Sequence, residues 1–143
     1  MPRFTWMALT SIAAILIPAL TLAGEPANLK AIMQELRQNF LDVSDGFLMD
    51  DFTKVAEGAL AIAEHPRVPA ADVERIAEEL GAEMPVFTNF DVQVHELSLE
   101  MYEAARDGDR VAALEAYQGM VTACIACHNA YRERVGAVLN DER

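Results

Sequence analysis

Apolar residues recur along this chain at steps of three and four, with few glycines and prolines between them. From about 27 to 46, extended by Phe47, the repeat runs Leu29, Ile32, Met33, Leu36, Phe40 and Val43, one face of an amphipathic helix, and Asp45-Gly46 reads as its stop. A second helix is expected over about 49–64, with Phe52, Val55, Ala56, Ala59, Leu60 and Ala63 on one side. His65-Pro66 ends it, because proline disfavours a helical residue before it. The long connection that follows holds a short helical piece at about 70–80, opened by Pro69 and closed by Gly81. A third long helix, about 85–106, turns Phe87, Phe90, Val94, Leu97, Met101 and Ala105 inward. The turn "RDGD" then offers Asp109 as N-cap to a last helix over about 110–138. That helix carries Val111, Leu114, Tyr117, Val121, Cys124, His128, Tyr131 and Val135 as its expected core stripe.

No segment alternates apolar and polar residues over a useful length, so the fold class is all-α. Four long amphipathic helices joined by two short turns and one long loop predict an antiparallel four-helix bundle.

The N-terminus reads differently. Residues 1–23 begin with a single Arg3, continue as an apolar run from about Trp6 to Leu22, and finish with small residues at Thr21 and Ala23. That is the form of a cleaved signal peptide, an uncleaved anchor being the competing reading because the run is near the lower limit for spanning a bilayer. Export to the periplasm is expected, with residues 24–143 as the working domain and no stable membrane insertion after cleavage. Roughly 120 residues then suffice for one core. Removing Arg3 leaves the domain one unit more negative than the −12 of the whole chain. Such a charge excludes nucleic acid as a partner and favours a protein with a basic docking surface.

The chemistry lies in "VTACIACHNAYRERV", residues 121–135, which holds the chain's only two cysteines. A disulfide across Cys124 and Cys127 would close almost no loop and restrict the unfolded chain little. Cys-x-x-Cys-His is the c-type haem attachment pattern. Two thiols one helical turn apart can each add to a porphyrin vinyl group, and His128 then offers its imidazole to the iron from the same face. A redox dithiol would instead open a helix, where the dipole lowers a thiol pKa, and a zinc site would need further ligands, with only His65 and His95 as non-acidic candidates. On this stripe the haem is expected inside one end of the bundle, near the C-terminal helix.

A four-helix bundle with this motif on its last helix, followed by Tyr131-Arg132, resembles the class II c-type cytochromes, the cytochrome c-prime family. The resemblance spans essentially the whole mature chain and implies one covalent haem c, with Cys124, Cys127 and Arg132 around it and His128 on the iron. Met-ligated members of that family take a sixth ligand from a methionine six residues before an asparagine on the first helix; Met33 and Asn39 stand in that relation here. Read from the residues alone, Met33 is equally a core methionine filling a gap. The resemblance places Arg132 near the proximal imidazole, whereas a cation near a helix C-terminus also suits the macrodipole.

Two functions follow. A His/Met-ligated haem makes an electron carrier and no enzyme, since no acid–base set accompanies it. The alternative is a five-coordinate protein that binds nitric oxide or carbon monoxide, with Met33 merely crowding the distal side. The resemblance also implies a possible homodimer through the first two helices, where Leu41, Leu48 and Ile62 fall outside the strictest stripes.

Overall fold

Asn28 opens the first helix by accepting the Ala31 amide hydrogen at 2.8 Å through its side chain, and Asp72 accepts that of Leu29 at 2.9 Å. Two of the four amides that a helix start leaves unpaired are thereby satisfied. The structure is a computed structural model and describes residues 28–140. The expected signal peptide lies outside the described residues. Five helices follow in order: α1 (Leu29–Leu48), α2 (Phe52–Ala63), α3 (Ala70–Leu80), α4 (Met84–Asp107) and α5 (Arg110–Asn140), with a 3-10 turn between α3 and α4. Among the described residues there is no strand, and no helix is long and apolar enough to cross a membrane.

Helices α1, α2, α4 and α5 make the bundle, and named contacts give their directions. Gly46 and Gly58 of the α1–α2 pair face Val55 and Val43 respectively. His95 of α4 reaches the Ala63 carbonyl of α2 and His65 reaches Asp91, while Phe90 and Ser98 of α4 meet Tyr131 and Met120 of α5. In each pair, rising numbers on one helix meet falling numbers on the other, so neighbours run antiparallel. One core cluster joins all four helices through Val43, Val55, Ala59, Met101, Ala113 and Met120. A second, smaller cluster closes one end, where Ile76 and Leu80 of α3 cover Leu29, Tyr131 and Val135.

Several expectations about surfaces are corrected. Asp45-Gly46 does not end α1, which continues to Leu48. A Cβ on Gly46 would come within 2.8 Å of a Val55 methyl and 2.9 Å of the Val55 backbone nitrogen, so this glycine serves a close helix crossing. Gly58 does the same against Val43, at 2.7 Å. The second helix accordingly starts later than expected, at Phe52, where Asp51 accepts the Lys54 amide hydrogen at 3.1 Å.

On α5 the buried stripe is Ala113, Ala116, Met120, Ala123, Tyr131 and Val135. Val111 and Leu114, expected inside, are 68% and 43% exposed. The small residues let α4 come close, with Ser98 donating to the Met120 sulfur at 3.3 Å, so burial follows backbone approach and not side-chain size. Ile62, read as a surface residue, is 3% exposed, whereas Leu41 and Leu48 are at the surface as expected.

The short helix at 70–80, the Asp109 cap and the core positions of Met101 and Met120 are as the sequence led one to expect.

Candidate functional site

Cys124 and Cys127 are free thiols, both half-buried, in the middle of α5. They sit where the two apolar clusters meet: Cys124 packs against the main core and Cys127 against the smaller one. His128 follows at the surface, exposed, and Arg132 one turn further on is exposed as well. This corrects the expected core stripe, on which His128 faced the bundle interior. The motif lies at an edge, between α5 and a neighbour.

For Cys124 and His128 that neighbour is α1; Cys127 turns toward the smaller cluster, where Asp91 of α4 acts on it. Helices α1 and α5 meet through large side chains, while their backbones scarcely approach. Phe40 stacks on Tyr117 with ring centroids 5.7 Å apart, and the Ser44 and Tyr117 hydroxyls are 3.0 Å apart. This hydroxyl pair fixes the register of the seam. Eleven residues before Ser44 stands Met33, and eleven after Tyr117 stands His128. Eleven residues are about three full turns and about 16 Å of helix, so both side chains return to the seam at the same level. Cys124, two turns past Tyr117, keeps to it as well.

Met33 is 39% exposed, unlike the core methionine it was read as an alternative to. The competing methionines are elsewhere. Met101 and Met120 are sealed in the main core at 0% and 1% exposure, Met49 caps the far end of α1, and Met84 packs in the second cluster. His95 is likewise engaged away from the seam, its Nδ1 donating to the Ala63 carbonyl at 3.0 Å. His65 donates from Nδ1 to the Pro66 carbonyl at 2.8 Å and sets Nε2 3.3 Å from Asp91. Asn39, half-buried, has its carbonyl against Gly58 on the α2 side.

The thiols are held in their neutral form. Burial pushes the Cys124 pKa up, and burial, then Cys124 and Asp91, push that of Cys127 up from 9.0 to about 11. Thiolate chemistry at neutral pH would need the opposite shift, so a redox-active dithiol does not fit. Iodoacetamide should therefore alkylate Cys127 of the folded chain with free thiols about 100-fold more slowly at pH 7 than in the urea-unfolded chain, read by mass spectrometry against time. Equal rates would mean that the thiol is not shielded. Zinc does not fit either: among the described residues no three His, Cys, Asp or Glu side chains converge.

A haem group fits the donor set. It asks for two unpaired thiols a turn apart, a neighbouring imidazole and apolar surroundings; Cys124 and Cys127, each packed against an apolar cluster, and His128 beside them have those properties. Among the described residues no buried side-chain polar atom lacks a partner, so nothing inside the two cores competes as a polar binding site.

Sequence reasoning missed the seam itself. The signal was available in the surplus of apolar residues beside the expected stripes, Leu41, Leu48 and Ile125 among them, which are 41%, 85% and 54% exposed. No family model, no curated protein and no solved structure matches the chain.

Proposed function

We propose that this protein is an exported c-type cytochrome, similar to the Met-ligated members of the class II family, that carries electrons on one covalently attached haem. The observation that carries this reading is the placement of Met33 and His128 at one level of the α1–α5 seam, three turns from the Ser44–Tyr117 hydroxyl pair.

Cys124 and Cys127 would hold the group. Each thiol would be joined to one vinyl substituent by a thioether bond, its hydrogen going to the neighbouring carbon, so the linkage would need no oxidant or reductant. The haem supplies a one-electron ferric–ferrous couple. His128 would offer one imidazole nitrogen from α5, and Met33 a thioether from α1, a soft donor that would favour the reduced state. The stacked Phe40 and Tyr117 rings bound the seam about two to three turns from Met33 and His128. Arg132, one turn past His128, would add a positive charge near the imidazole. Because both ligands come from rigid helices and not loops, they are held in place in both oxidation states.

The test is the absorption spectrum of the haem-loaded full chain, ferric and ferrous, with and without carbon monoxide. The expected result is a low-spin spectrum that carbon monoxide leaves unchanged, and a Met33→Ala variant that becomes high-spin and binds the gas. A wild-type protein that is already high-spin and takes up carbon monoxide would overturn the Met33 assignment and make gas binding the function.

A further inference from the structure

Cations on this acidic protein are sorted. Lys54 is held by Asp45 at 2.6 Å and Asp42 at 3.5 Å, Arg110 by Asp50, and Arg134 by Glu83 at 2.8 Å and Glu79 at 3.1 Å. Lys30, Arg37 and Arg132 are exposed and make no hydrogen bond or ion pair among the described residues.

The seam register brings these three together. Arg37 stands seven residues before Ser44 and Lys30 fourteen before it, about two and four turns, while Arg132 stands fifteen after Tyr117, a little over four turns. All three therefore return to the α1–α5 side. Lys30 and Arg37 bracket Met33 by one turn each, and Arg132 follows His128 by one turn.

Carboxylates on the same helices are placed elsewhere. Asp42 and Asp45 serve Lys54 of α2, and Glu115 lines the groove between α5 and α4 together with Glu100 and Glu103. Glu35 and Glu133 lie two and five residues past Met33 and His128, more than a third of a turn off the seam. Asp72, near the start of α1, accepts the Leu29 amide hydrogen. The same seam leaves Leu41, Leu48, Leu114 and Ile125 at the surface. The result is an apolar strip with a cationic rim around one end, on a chain whose net charge is −12.

We infer that the α1–α5 seam is the face through which the protein exchanges electrons, and that it fits a partner protein presenting carboxylates there. This rests on the haem reading above. Net charge alone favours a basic partner, but at physiological salt charges interact over only about 8 Å, so at the mouth the rim outweighs the distant acidic groove, while Asp91, which acts on Cys127 from α4, lies 3.3 Å from His65 Nε2. A local positive patch steers anionic reactants to the group it surrounds and fixes their docking.

Oxidation of the ferrous, haem-loaded full chain by ferricyanide and by tris(phenanthroline)cobalt(III) reads the sign of that field. The ferricyanide rate is expected to fall roughly tenfold between low and high salt, and the cobalt rate to rise. Poly-L-glutamate should slow the ferricyanide reaction and poly-L-lysine should not. Lys30→Glu with Arg37→Glu should reverse the salt trends, and Arg106→Gln, an exposed cation in the last turn of α4 at the opposite end of the bundle, should not. Opposite salt trends in the wild type, insensitive to Lys30 and Arg37, would overturn the inference; that is the outcome if the haem's own carboxylates neutralise the rim. Binding to phosphatidylglycerol vesicles that depends on Lys30 and Arg37, without the glutamate effect, would also overturn it in favour of a lipid surface. A chain that carries no haem is seen before mixing, as an absent Soret band, and defeats the underlying reading instead.

Discussion

Replacing both motif cysteines, Cys124→Ser with Cys127→Ser, is expected to abolish covalent haem while leaving the helical content intact. The two thiols are the chain's only cysteines, so no other side chain can form the linkage. Each single replacement should retain one linkage and give a protein with less attached haem than the wild type. Folding should survive because neither residue belongs to a fully buried core: Cys124 and Cys127 are half-buried at the edges of two clusters that Val43, Met101 and Met120 on one side, and Ile76 and Leu80 on the other, fill without them. Haem retention through acid–acetone extraction and far-UV circular dichroism read the two effects separately. Covalent haem on the double variant would show that the motif is not its anchor. Loss of helix would show that the thiols are structural.

The second large effect belongs to the small core that closes the motif's end of the bundle. Ile76→Ala is expected to lower the unfolding free energy by about 2–5 kcal/mol, the range for emptying a sealed aliphatic site. Ile76 is 1% exposed and packs with Leu29, Leu80, Tyr131 and Val135, so one deletion loosens α3 from both α1 and α5. Val73 on the same helix is 37% exposed, and Val73→Ala should change stability by roughly 0.5 kcal/mol or less. Urea unfolding followed by circular dichroism compares them. Equal, small effects would mean that α3 is an ornament on the surface. A large effect of Ile76→Ala would also predict faster alkylation of Cys127, which packs against this cluster.

How much of this was legible in the sequence varies by element. The helices could be read because apolar spacing, Pro69, His65-Pro66 and Asp109 each state a local preference that the fold keeps. Gly46 could not. A glycine after an aspartate looks like a helix stop, and only the approach of Val55, which is a tertiary fact, makes it a crossing point. The face of α5 misled for a related reason. Val111 and Leu114 outweigh Ala113 and Ala116 in apolar area, yet α4 lies against the small residues.

The candidate site divides along the same line. Cys124, Cys127 and His128 stand out because their spacing is local. Met33 was singled out only by its spacing to Asn39 and the resemblance that gives this spacing meaning; the register of α1 against α5 sets it level with His128, and the cores claim Met101 and Met120. Register between helices nearly ninety residues apart leaves no mark in either segment, which is why the cationic rim was hidden as well. Lys30, Arg37 and Arg132 are scattered in the sequence and meet only across the seam.

Covalent haem on Cys124 and Cys127 is read by intact-protein mass spectrometry, under denaturing conditions, of the full chain exported by a bacterium that matures c-type cytochromes. The expected result is a chain heavier by one haem, with both thiols consumed and absorption near 400 nm, the Soret region of a haem, co-eluting with the polypeptide. A chain of unmodified mass, with two alkylatable thiols or a disulfide in their place, would contradict it.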